Sequence, residues 1–408
     1  MHSHHWIWCS FMVENNSNSS IIHDTVHQCH ICGNSHLDIF KKYSHFHRVT
    51  SDCKPWAQGG NLAVCPSCGC VQKLIDAGWL AEMGTIYNSY SIYFQSQGTE
   101  QAVFNQISGN SISRSSQILD CIKDVMQLPK TGKHLDIGCG NGALLLQFHE
   151  KFPEWTLYGI ELNEKYKSKV EDIPSVQKMY VSSQPDIIKD KFNCITMIHV
   201  LEHIPNPRGY LEKIHDLLTY EGILVIEVPF FINNPYDLLI ADHCTHFSES
   251  TLCTLLYKSG FNVMYSSTKC VTKELTVVAK KRNDKLLDIR PLDSQMTSVA
   301  VVKCIDWLDS NITDSLFYAK NGCFGIFGTS IAATWLFSEI LNSVHFFMDE
   351  DLNRIGKTYL GLPVYDPFNA PYDSIIFLPF CPSQARKIKE RLEKKMKTLK
   401  FVIPSSLS

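Results

Sequence analysis

The segment from His134 to Gly142 has the composition of a ligand-binding turn. It has the sequence H-L-D-I-G-C-G-N-G, so a short apolar strand enters a glycine-rich turn and a helical pattern from Ala143 to Glu150 follows. Glycines permit the φ angles of a tight turn and let the backbone approach a ligand closely. The next apolar run ends in Glu161, where a carboxylate can hold the two hydroxyls of a ribose. The pattern therefore predicts a nucleoside pocket.

The acid at Asp136 narrows the choice of nucleoside. The spacing of Gly138, Gly140 and Ala143 also fits the loose dinucleotide fingerprint, so a nicotinamide-dependent oxidoreductase is one alternative. A carboxylate two residues before the first glycine would repel a pyrophosphate and attract a cation. The run D-I-G-C-G-N-G with a later acid resembles the S-adenosylmethionine loop of class I methyltransferases, whose cofactor is positively charged and has no phosphate. The resemblance implies that the cofactor is held by Asp136, Gly138, Gly140, Asn141, Gly142 and Glu161.

A second candidate segment, Met197 to Pro205, follows the fourth predicted strand. Its sequence, M-I-H-V-L-E-H-I-P, resembles the H-V-L-E-H segment of small-molecule methyltransferases, which lies near the methionine end of the cofactor. The resemblance implies that His199 and Glu202 form the wall of the cofactor pocket. Helix capping, direct catalysis, and a metal site that also includes His203 are the alternatives.

A loop after the fifth predicted strand carries a third candidate group, Asp242-His243-Cys244-Thr245-His246-Phe247-Ser248. Histidine can accept a proton near pH 7, as methyl transfer to a hydroxyl or an enolisable carbon requires. His243 is the candidate base and Asp242 is its expected orienting partner, with His246 beside them. The alternative is that the histidines cap a helix starting near Ser248 and hold the loop.

Two C-x2-C pairs predict a structural zinc site. Each pair lies at a tight turn that ends in glycine, and four thiolates complete a closed tetrahedral zinc site with no open position for catalysis. Two unrelated cysteine turns are the alternative, and His30 is a weaker possible ligand. The predicted ligands are Cys29, Cys32, Cys65 and Cys68.

A tyrosine-rich, mostly helical segment follows the cysteine pairs. Tyr87 and Tyr90 are at helical spacing, and Tyr93 comes next. Such a stripe predicts either a core face against the next domain or a substrate lid. As a lid, these three tyrosines would bind the substrate through their hydroxyls.

These residues require an α/β framework to bring them together. The predicted strands, mostly separated by helical patterns, are 134–137, 156–160, 176–180, 192–198, 222–229, 261–266 and 274–279. This order predicts a seven-stranded, doubly wound sheet with an antiparallel final pair, and ligands bind at the carboxyl ends of its strands. A smaller Rossmann-like α/β unit begins at Cys323. The predicted parts are a disordered extension (1–28), a zinc-binding domain with a helical aromatic connector (29–112), a methyltransferase domain (113–281) and a linker helix with the C-terminal domain (282–408).

The order of these parts resembles the nucleotide-sugar C-methyltransferases. That family combines a cysteine-zinc domain, a tyrosine-rich connector, a methyltransferase domain and a Rossmann-like C-terminal domain. The resemblance implies that Asp242 and His243 form the acid–base pair, with His246 where the family has tyrosine. It also implies C- or O-methylation of a nucleotide-linked sugar or a surface-polysaccharide precursor. The C-terminal domain either binds a nucleotide or serves in docking.

The amino-acid composition limits the kinds of partner that the protein is expected to bind. The net charge of −3 and the pI of about 6.6 leave no basic footprint for nucleic acid or an anionic membrane. This counts against a zinc-knuckle nucleic-acid methyltransferase, which stays an alternative together with a non-catalytic scaffold. No apolar run approaches the ~18 residues of a membrane span, and the N-terminus lacks a signal-peptide pattern. Sixteen cysteines without such a signal predict a reducing cytoplasm, with thiols free or on metal. The expected partner is a small molecule, and the oligomeric state is open.

Overall fold

The computed structural model describes residues 27–90, 102–104, 111–282 and 294–407. Nearly all of the predicted extension (1–28) and Tyr93 lie outside the described residues. Among the described residues, no helix is both long and apolar enough to cross a membrane.

The N-terminal part, residues 27–90, contains short strands and one helix. The helix begins at Asp76, whose carboxylate accepts a hydrogen bond from the backbone N–H of Trp79 at 2.8 Å, as helix N-caps do. A pair of strands, β6 and β7, leads from this part to the next. The elements are β1 (Asp38–Ile39), a 3-10 helix (Lys41–His45), β2 (Arg48–Val49), β3 (Pro55–Trp56), β4 (Leu62–Val64), β5 (Val71–Lys73), α1 (Ala77–Asn88), β6 (Ala102–Phe104) and β7 (Ser111–Ser113).

The central sheet has seven strands, and the predicted class of fold, an α/β methyltransferase sheet, is confirmed. Each predicted apolar run coincides with a strand. The fifth strand begins at Leu218, four residues before the predicted start. A two-residue strand, β13, lies outside this sheet and pairs with β5. The strands are β8 (Lys133–Ile137), β9 (Thr156–Glu161), β10 (Val176–Val181), β11 (Phe192–Ile198), β12 (Leu218–Pro229), β13 (Thr245–His246), β14 (Phe261–Ser267) and β15 (Glu274–Lys281).

The strand order of the central sheet is β10-β9-β8-β11-β12-β15-β14. Strands β8 to β12 are parallel, and β15 is antiparallel to both of its neighbours. The chain winds from β8 to β10 in one direction and resumes at β11 on the other side of β8. This reversal creates a crevice between the carboxyl ends of β8 and β11, where ligands of open α/β sheets bind.

Helices cover both faces of the central sheet, and its parallel strands other than the edge strand β10 are largely buried. The last of them, α6, begins in a capping box formed by Ser248 and Thr251, so serine and not a histidine caps this helix. The helices are α2 (Arg114–Val125), α3 (Ala143–Lys151), α4 (Lys167–Glu171), α5 (Pro207–Leu217) and α6 (Glu249–Lys258), with 3-10 helices at Glu164–Tyr166, Pro185–Ile187, Leu201–His203 and Pro235–Leu239.

The C-terminal part contains a long helix and a six-stranded sheet of order β18-β19-β17-β16-β20-β21. Its strands are parallel except for the pair β18 and β19. Trp335 packs edge-on against Phe46 in a core that this part shares with the N-terminal part. The elements are α7 (Ser294–Ala319), β16 (Phe324–Phe327), α8 (Ile331–Ile340), a 3-10 helix (Leu341–Ser343), β17 (Phe346–Met348), β18 (Thr358–Tyr359), β19 (Leu362–Tyr365), β20 (Ile375–Phe377), α9 (Pro382–Glu393) and β21 (Lys400–Val402).

One disulfide corrects an expectation from composition. Cys121 in α2 and Cys270, in the turn between β14 and β15, are bonded, with their Cα atoms 5.8 Å apart. The expectation that all thiols are free or on metal is therefore wrong for this pair. The two residues are 149 positions apart in sequence, and only the folded sheet brings them together.

Candidate functional site

A cavity of about 920 Å³ lies at the carboxyl ends of the parallel strands. Its walls come from the residues that follow β8, β9, β10 and β11, and from the end of α1. The crevice that the reversed strand order creates is therefore open and large enough for a small molecule.

The glycine turn after β8 forms one wall of this cavity. Gly138 has φ +69°, a conformation that favours glycine. Its backbone N–H donates to the carbonyl of Ile160 at 2.8 Å, which fixes the turn against β9. A Cβ atom at Gly138 would lie only 2.5 Å from Cγ2 of Val200, which also lines the cavity. The turn therefore packs so closely against Val200 that a residue with a side chain at position 138 would have to displace this part of the cavity wall.

Glu161, at the end of β9, also lines the cavity. Its carboxylate accepts hydrogen bonds from the backbone N–H groups of Gly140 at 3.1 Å, Leu162 at 2.8 Å and Asn163 at 3.1 Å. Burial raises the pKa of Glu161. These bonds hold the carboxylate at the edge of the glycine turn, where a ribose would contact it.

Asp136 lies behind the glycine turn and is not one of the lining residues. It is 3% exposed, and its Oδ1 accepts a hydrogen bond from the hydroxyl of Thr196 at 2.6 Å. Of the residues predicted to bind the cofactor, Gly138, Glu161 and His199 line the cavity. The others, which are not among its lining residues, are Asp136, Gly140, Asn141, Gly142 and Glu202.

The buried carboxyl of Asp136 predicts a pH-dependent stability. Burial raises its pKa to about 7, whereas the unfolded value is about 3.9. Between these values the folded state binds more protons, so this group makes stability fall as pH rises. Compared with Asp136→Asn, the wild type should lose on the order of 2–3 kcal/mol between about pH 5 and pH 8, measured by urea denaturation. Parallel stability curves for the two proteins would contradict this.

His199 lies among three buried glutamates at the end of β11. Its φ is +54°, unusual for a residue other than glycine. Its Nδ1 is 3.3 Å from Oε1 of Glu202, and its Nε2 is 2.7 Å from Nη1 of Arg114. Glu227 and Glu274 lie 3.7 and 3.8 Å from Nε2. The ring thus joins the cavity wall to a buried carboxylate cluster.

His203 is the histidine of the H-V-L-E-H segment nearest to the connector, and it lines the cavity together with Tyr87. Its Nδ1 is 2.9 Å from the hydroxyl of Tyr87 and 2.9 Å from the carbonyl oxygen of Asp242. A carbonyl can only accept a hydrogen bond, so Nδ1 carries the proton and Nε2 carries the lone pair. Sequence reasoning did not select His203 as a site residue.

His243 and His246 share one carboxylate, that of Asp237. Nδ1 of His243 is 2.7 Å from Oδ1 of Asp237, and Nδ1 of His246 is 2.7 Å from Oδ2. All three residues are buried, and neither histidine is among the residues that line the cavity. The ring of His243 packs edge-on against the ring of His203, with centroids 4.6 Å apart.

His243 pairs with Asp237 and not, as expected, with Asp242. Oδ1 of Asp242 accepts from the backbone N–H of Ser51 at 2.8 Å, and Oδ2 lies 3.5 Å from Nδ1 of His203. Adjacent residues in an extended loop point in different directions, so Asp242 and His243 have different partners. Asp237 reaches both histidines because the 3-10 helix Pro235–Leu239 turns it back towards the loop.

The connector supplies two tyrosines to the cavity. Tyr87 and Tyr90 line it, and the hydroxyl of Ser51 donates a hydrogen bond to that of Tyr90 at 3.4 Å. Burial raises the pKa of Tyr87, so its hydroxyl is a hydrogen-bond donor at neutral pH. The third predicted tyrosine, Tyr93, lies outside the described residues.

Four cysteines converge beside the N-terminal sheet. The Sγ atoms of Cys29 and Cys68 are 3.4 Å apart, and those of Cys32 and Cys65 are 3.5 Å apart. All four sulfur atoms lie within 4.8 Å of one another. Tetrahedral zinc at 2.3 Å from each sulfur would place the sulfurs about 3.8 Å apart. The cluster therefore has the composition and the size of a closed four-cysteine zinc site.

The fold and the cavity together define a class I S-adenosylmethionine-dependent methyltransferase domain. Residues 113–266 match a family model described as a methyltransferase domain. This match covers the central sheet up to β14, including the glycine turn, Glu161 and the two histidine segments.

Known proteins are similar to part of the chain. C-methyltransferase NovU from Streptomyces niveus is 21% identical over 165 residues, which are 38% of this chain and 39% of that protein. A crystal structure of an S-adenosylmethionine-dependent methyltransferase from Clostridium acetobutylicum is 14% identical and covers 41% of this chain and 91% of its own, with a TM-score of 0.35. The structure of the mitomycin 7-O-methyltransferase MmcR is 17% identical and covers 41% and 53%, with a TM-score of 0.35.

Proposed function

We propose that the protein is an S-adenosylmethionine-dependent methyltransferase of a small-molecule acceptor. The observation that carries this proposal is the cavity at the carboxyl ends of β8 to β11. Gly138 and Glu161 line one side, and Tyr87, Tyr90 and His203 line another. The first side suits the nucleoside of the cofactor, and the second offers hydrogen-bonding groups to an acceptor.

The acceptor that we propose is a nucleotide-linked sugar or a related surface-polysaccharide precursor, methylated at carbon or oxygen. Two observations support this class. The relative from Streptomyces niveus is a C-methyltransferase, which supports methylation at carbon, and the polar lining residues Tyr87, Asn88 and Tyr90 suit a hydroxylated molecule. The formal charge of −3 gives no support to a nucleic-acid substrate, and we propose that the protein acts in the cytoplasm.

Different residues of the cavity have different roles in the proposed reaction. When bound, the cofactor supplies an already activated methyl group, so the protein needs to align the acceptor and promote loss of its proton. Glu161 holds the ribose side, and Tyr87 donates a hydrogen bond. His203 presents its side chain to the acceptor, with His243 and Asp237 behind it. We propose that His203, whose ring packs against that of His243, takes the role expected of His243 with Asp242.

We further propose that the cysteine cluster binds a structural zinc ion. Cys29, Cys32, Cys65 and Cys68 leave no open coordination position, so the ion would contribute to folding and not to catalysis. The nearby residue His30 makes a hydrogen bond through Nδ1 to the hydroxyl of Thr245 at 2.7 Å. His30 therefore links the cluster to the histidine loop and is not needed as a ligand.

A transfer assay tests the proposed function. Purified protein is incubated with S-adenosylmethionine labelled at the methyl group and, separately, with keto and hydroxyl forms of nucleotide-linked sugars or with RNA. We expect label in a nucleotide-linked sugar and none in RNA. We also expect S-adenosylhomocysteine, and not NAD, to raise the melting temperature. Stabilisation by NAD alone would instead support the oxidoreductase alternative.

A further inference from the structure

We propose that Glu202, His203 and His243 bind a divalent first-row transition metal ion beside the acceptor cavity. This site is separate from the cysteine cluster. Its expected role, an additional contact to an oxygen atom of the acceptor, rests on the proposed function. Its existence does not rest on that function and can be tested without a methylation assay.

The three residues come from two segments that a backbone hydrogen bond joins. Glu202 and His203 end the 3-10 helix Leu201–His203 after β11, and His243 is in the loop before β13. The backbone N–H of Cys244 donates to the carbonyl of Glu202 at 2.8 Å and fixes one segment to the other. A carboxylate oxygen of Glu202 and one ring nitrogen from each histidine lie within 4.8 Å of one another. Ligand atoms of one metal ion require this proximity.

The hydrogen bonds made by Nδ1 of both histidines leave the second ring nitrogen of each, Nε2, available to a metal ion. Nδ1 of His203 donates to the carbonyl of Asp242, and Nδ1 of His243 donates to the carboxylate of Asp237. In each ring Nε2 then carries a lone pair. Metal-binding histidines characteristically donate their other N–H to a carboxylate or a carbonyl, which sets the tautomer and the ring orientation. Both orienting groups are already in place.

Glu202 lacks the partners that a buried carboxylate needs. It is 1% exposed, and its Oε2 has no hydrogen-bond partner among the described residues. His199 is 3.3 Å from the other oxygen, Oε1. Burying a carboxylate is costly unless it is paired, hydrogen-bonded or bound to a metal. One ring nitrogen of each histidine lies within 4.8 Å of this carboxylate, so a cation bound by the three residues would satisfy its unpartnered oxygen.

A rival metal group shares His243. Asp237, His243 and His246 also offer ligand atoms within 4.8 Å of one another. In that group, however, each oxygen of Asp237 already accepts a hydrogen bond from one histidine at 2.7 Å. Asp237 therefore behaves as an orienting carboxylate, and Glu202 is the carboxylate with an unsatisfied oxygen.

The ligand set indicates which ions would bind. One carboxylate oxygen and two imidazole nitrogens suit Zn²⁺, Fe²⁺ or Co²⁺ and leave coordination positions open. His203 lines the cavity, so the ion would border the space assigned to the acceptor. A metal ion in that position can bind and polarise an oxygen atom.

Metal content measures the proposal directly. Full-length protein is exchanged into excess Co²⁺ without a chelation step, freed of excess ion and analysed for cobalt per chain. We expect two ions in the wild type and one in Glu202→Gln, which preserves volume. The lost ion should be the one with weak absorption, because cobalt on four thiolates absorbs strongly and cobalt on nitrogen and oxygen absorbs weakly.

His246→Asn is the matched control, since His246 shares the carboxylate of Asp237 but is outside the proposed ligand set. It should keep two cobalt ions, and circular dichroism should show that both variants are folded. Absence of the weakly absorbing cobalt ion from the wild type, or equal amounts of that ion in the wild type and a folded Glu202→Gln, would overturn the proposal. Loss in His246→Asn but not in Glu202→Gln would overturn it in favour of the rival group. If the cobalt result holds and no acceptor is methylated, only the proposed function fails.

Discussion

Gly138→Val should lower the affinity for S-adenosylhomocysteine by at least about 100-fold, equivalent to about 2.8 kcal/mol. Gly138 has φ +69°, where a β-branched residue is strained. A Cβ atom there would also lie 2.5 Å from Cγ2 of Val200. Either the turn or Val200 must move, and both form the wall of the cavity. Isothermal titration calorimetry of the purified variant measures the loss.

Gly361→Val is the matched control for this experiment. Gly361 has φ +83°, and no atom lies within 4 Å of the position that its Cβ would take. It is in the C-terminal sheet region, between β18 and β19. This variant carries a similar backbone strain without the contact at the cavity, so its affinity should equal that of the wild type. An unchanged affinity in a folded Gly138→Val would remove the glycine turn from the cofactor site.

His203→Gln should reduce kcat by about 100-fold or more, because the variant loses both a group that can assist proton transfer and a ligand of the proposed metal ion that would polarise the acceptor. His203 lines the cavity, and its Nδ1 is fixed by the carbonyl of Asp242. Affinity for S-adenosylhomocysteine should change by less than about threefold, because the glycine turn and Glu161 are untouched. Steady-state kinetics, with the acceptor found in the transfer assay, separates the effect on kcat from the effect on KM.

His215→Gln is the comparison for His203. His215 lies in α5, is half-buried, and packs edge-on against Phe261 away from the cavity. It should leave kcat within a factor of about two. If His203→Gln behaved in the same way, the histidine at the cavity wall would have no part in the reaction.

Local patterns were sufficient to predict the framework of the fold. The strands 134–137 and 192–198 are apolar runs bounded by polar turns, and they form β8 and β11 with almost the same limits. The glycine turn was equally predictable, because the φ angles of Gly138, Gly140 and Gly142 are all positive, as a tight turn demands. These features depend on residues that are close together in sequence.

The partners in the site depend on contacts that sequence spacing does not reveal. Asp242 precedes His243, so adjacency favoured it as the orienting acid. The acid that contacts His243 is Asp237, brought back by a 3-10 helix. His203 was recognisable as part of a motif, but its contact with Tyr87, 116 positions earlier, could not be read from the spacing. The Cys121–Cys270 bond was missed for the same reason.

The short strand β13 determines whether the central domain can be separated from the N-terminal part without loss of its site. It pairs with β5 of the N-terminal part. Thr245, in β13, also contacts His30, which is 215 positions away in the chain and lies between two cysteines of the cluster. The histidine loop is therefore also the last strand of the N-terminal sheet. The central domain alone would keep the glycine turn but lose the support of its histidine loop and the tyrosines of α1. Under the proposed function, the central domain alone would retain cofactor binding, whereas the acceptor side of the cavity requires residues from both parts of the chain.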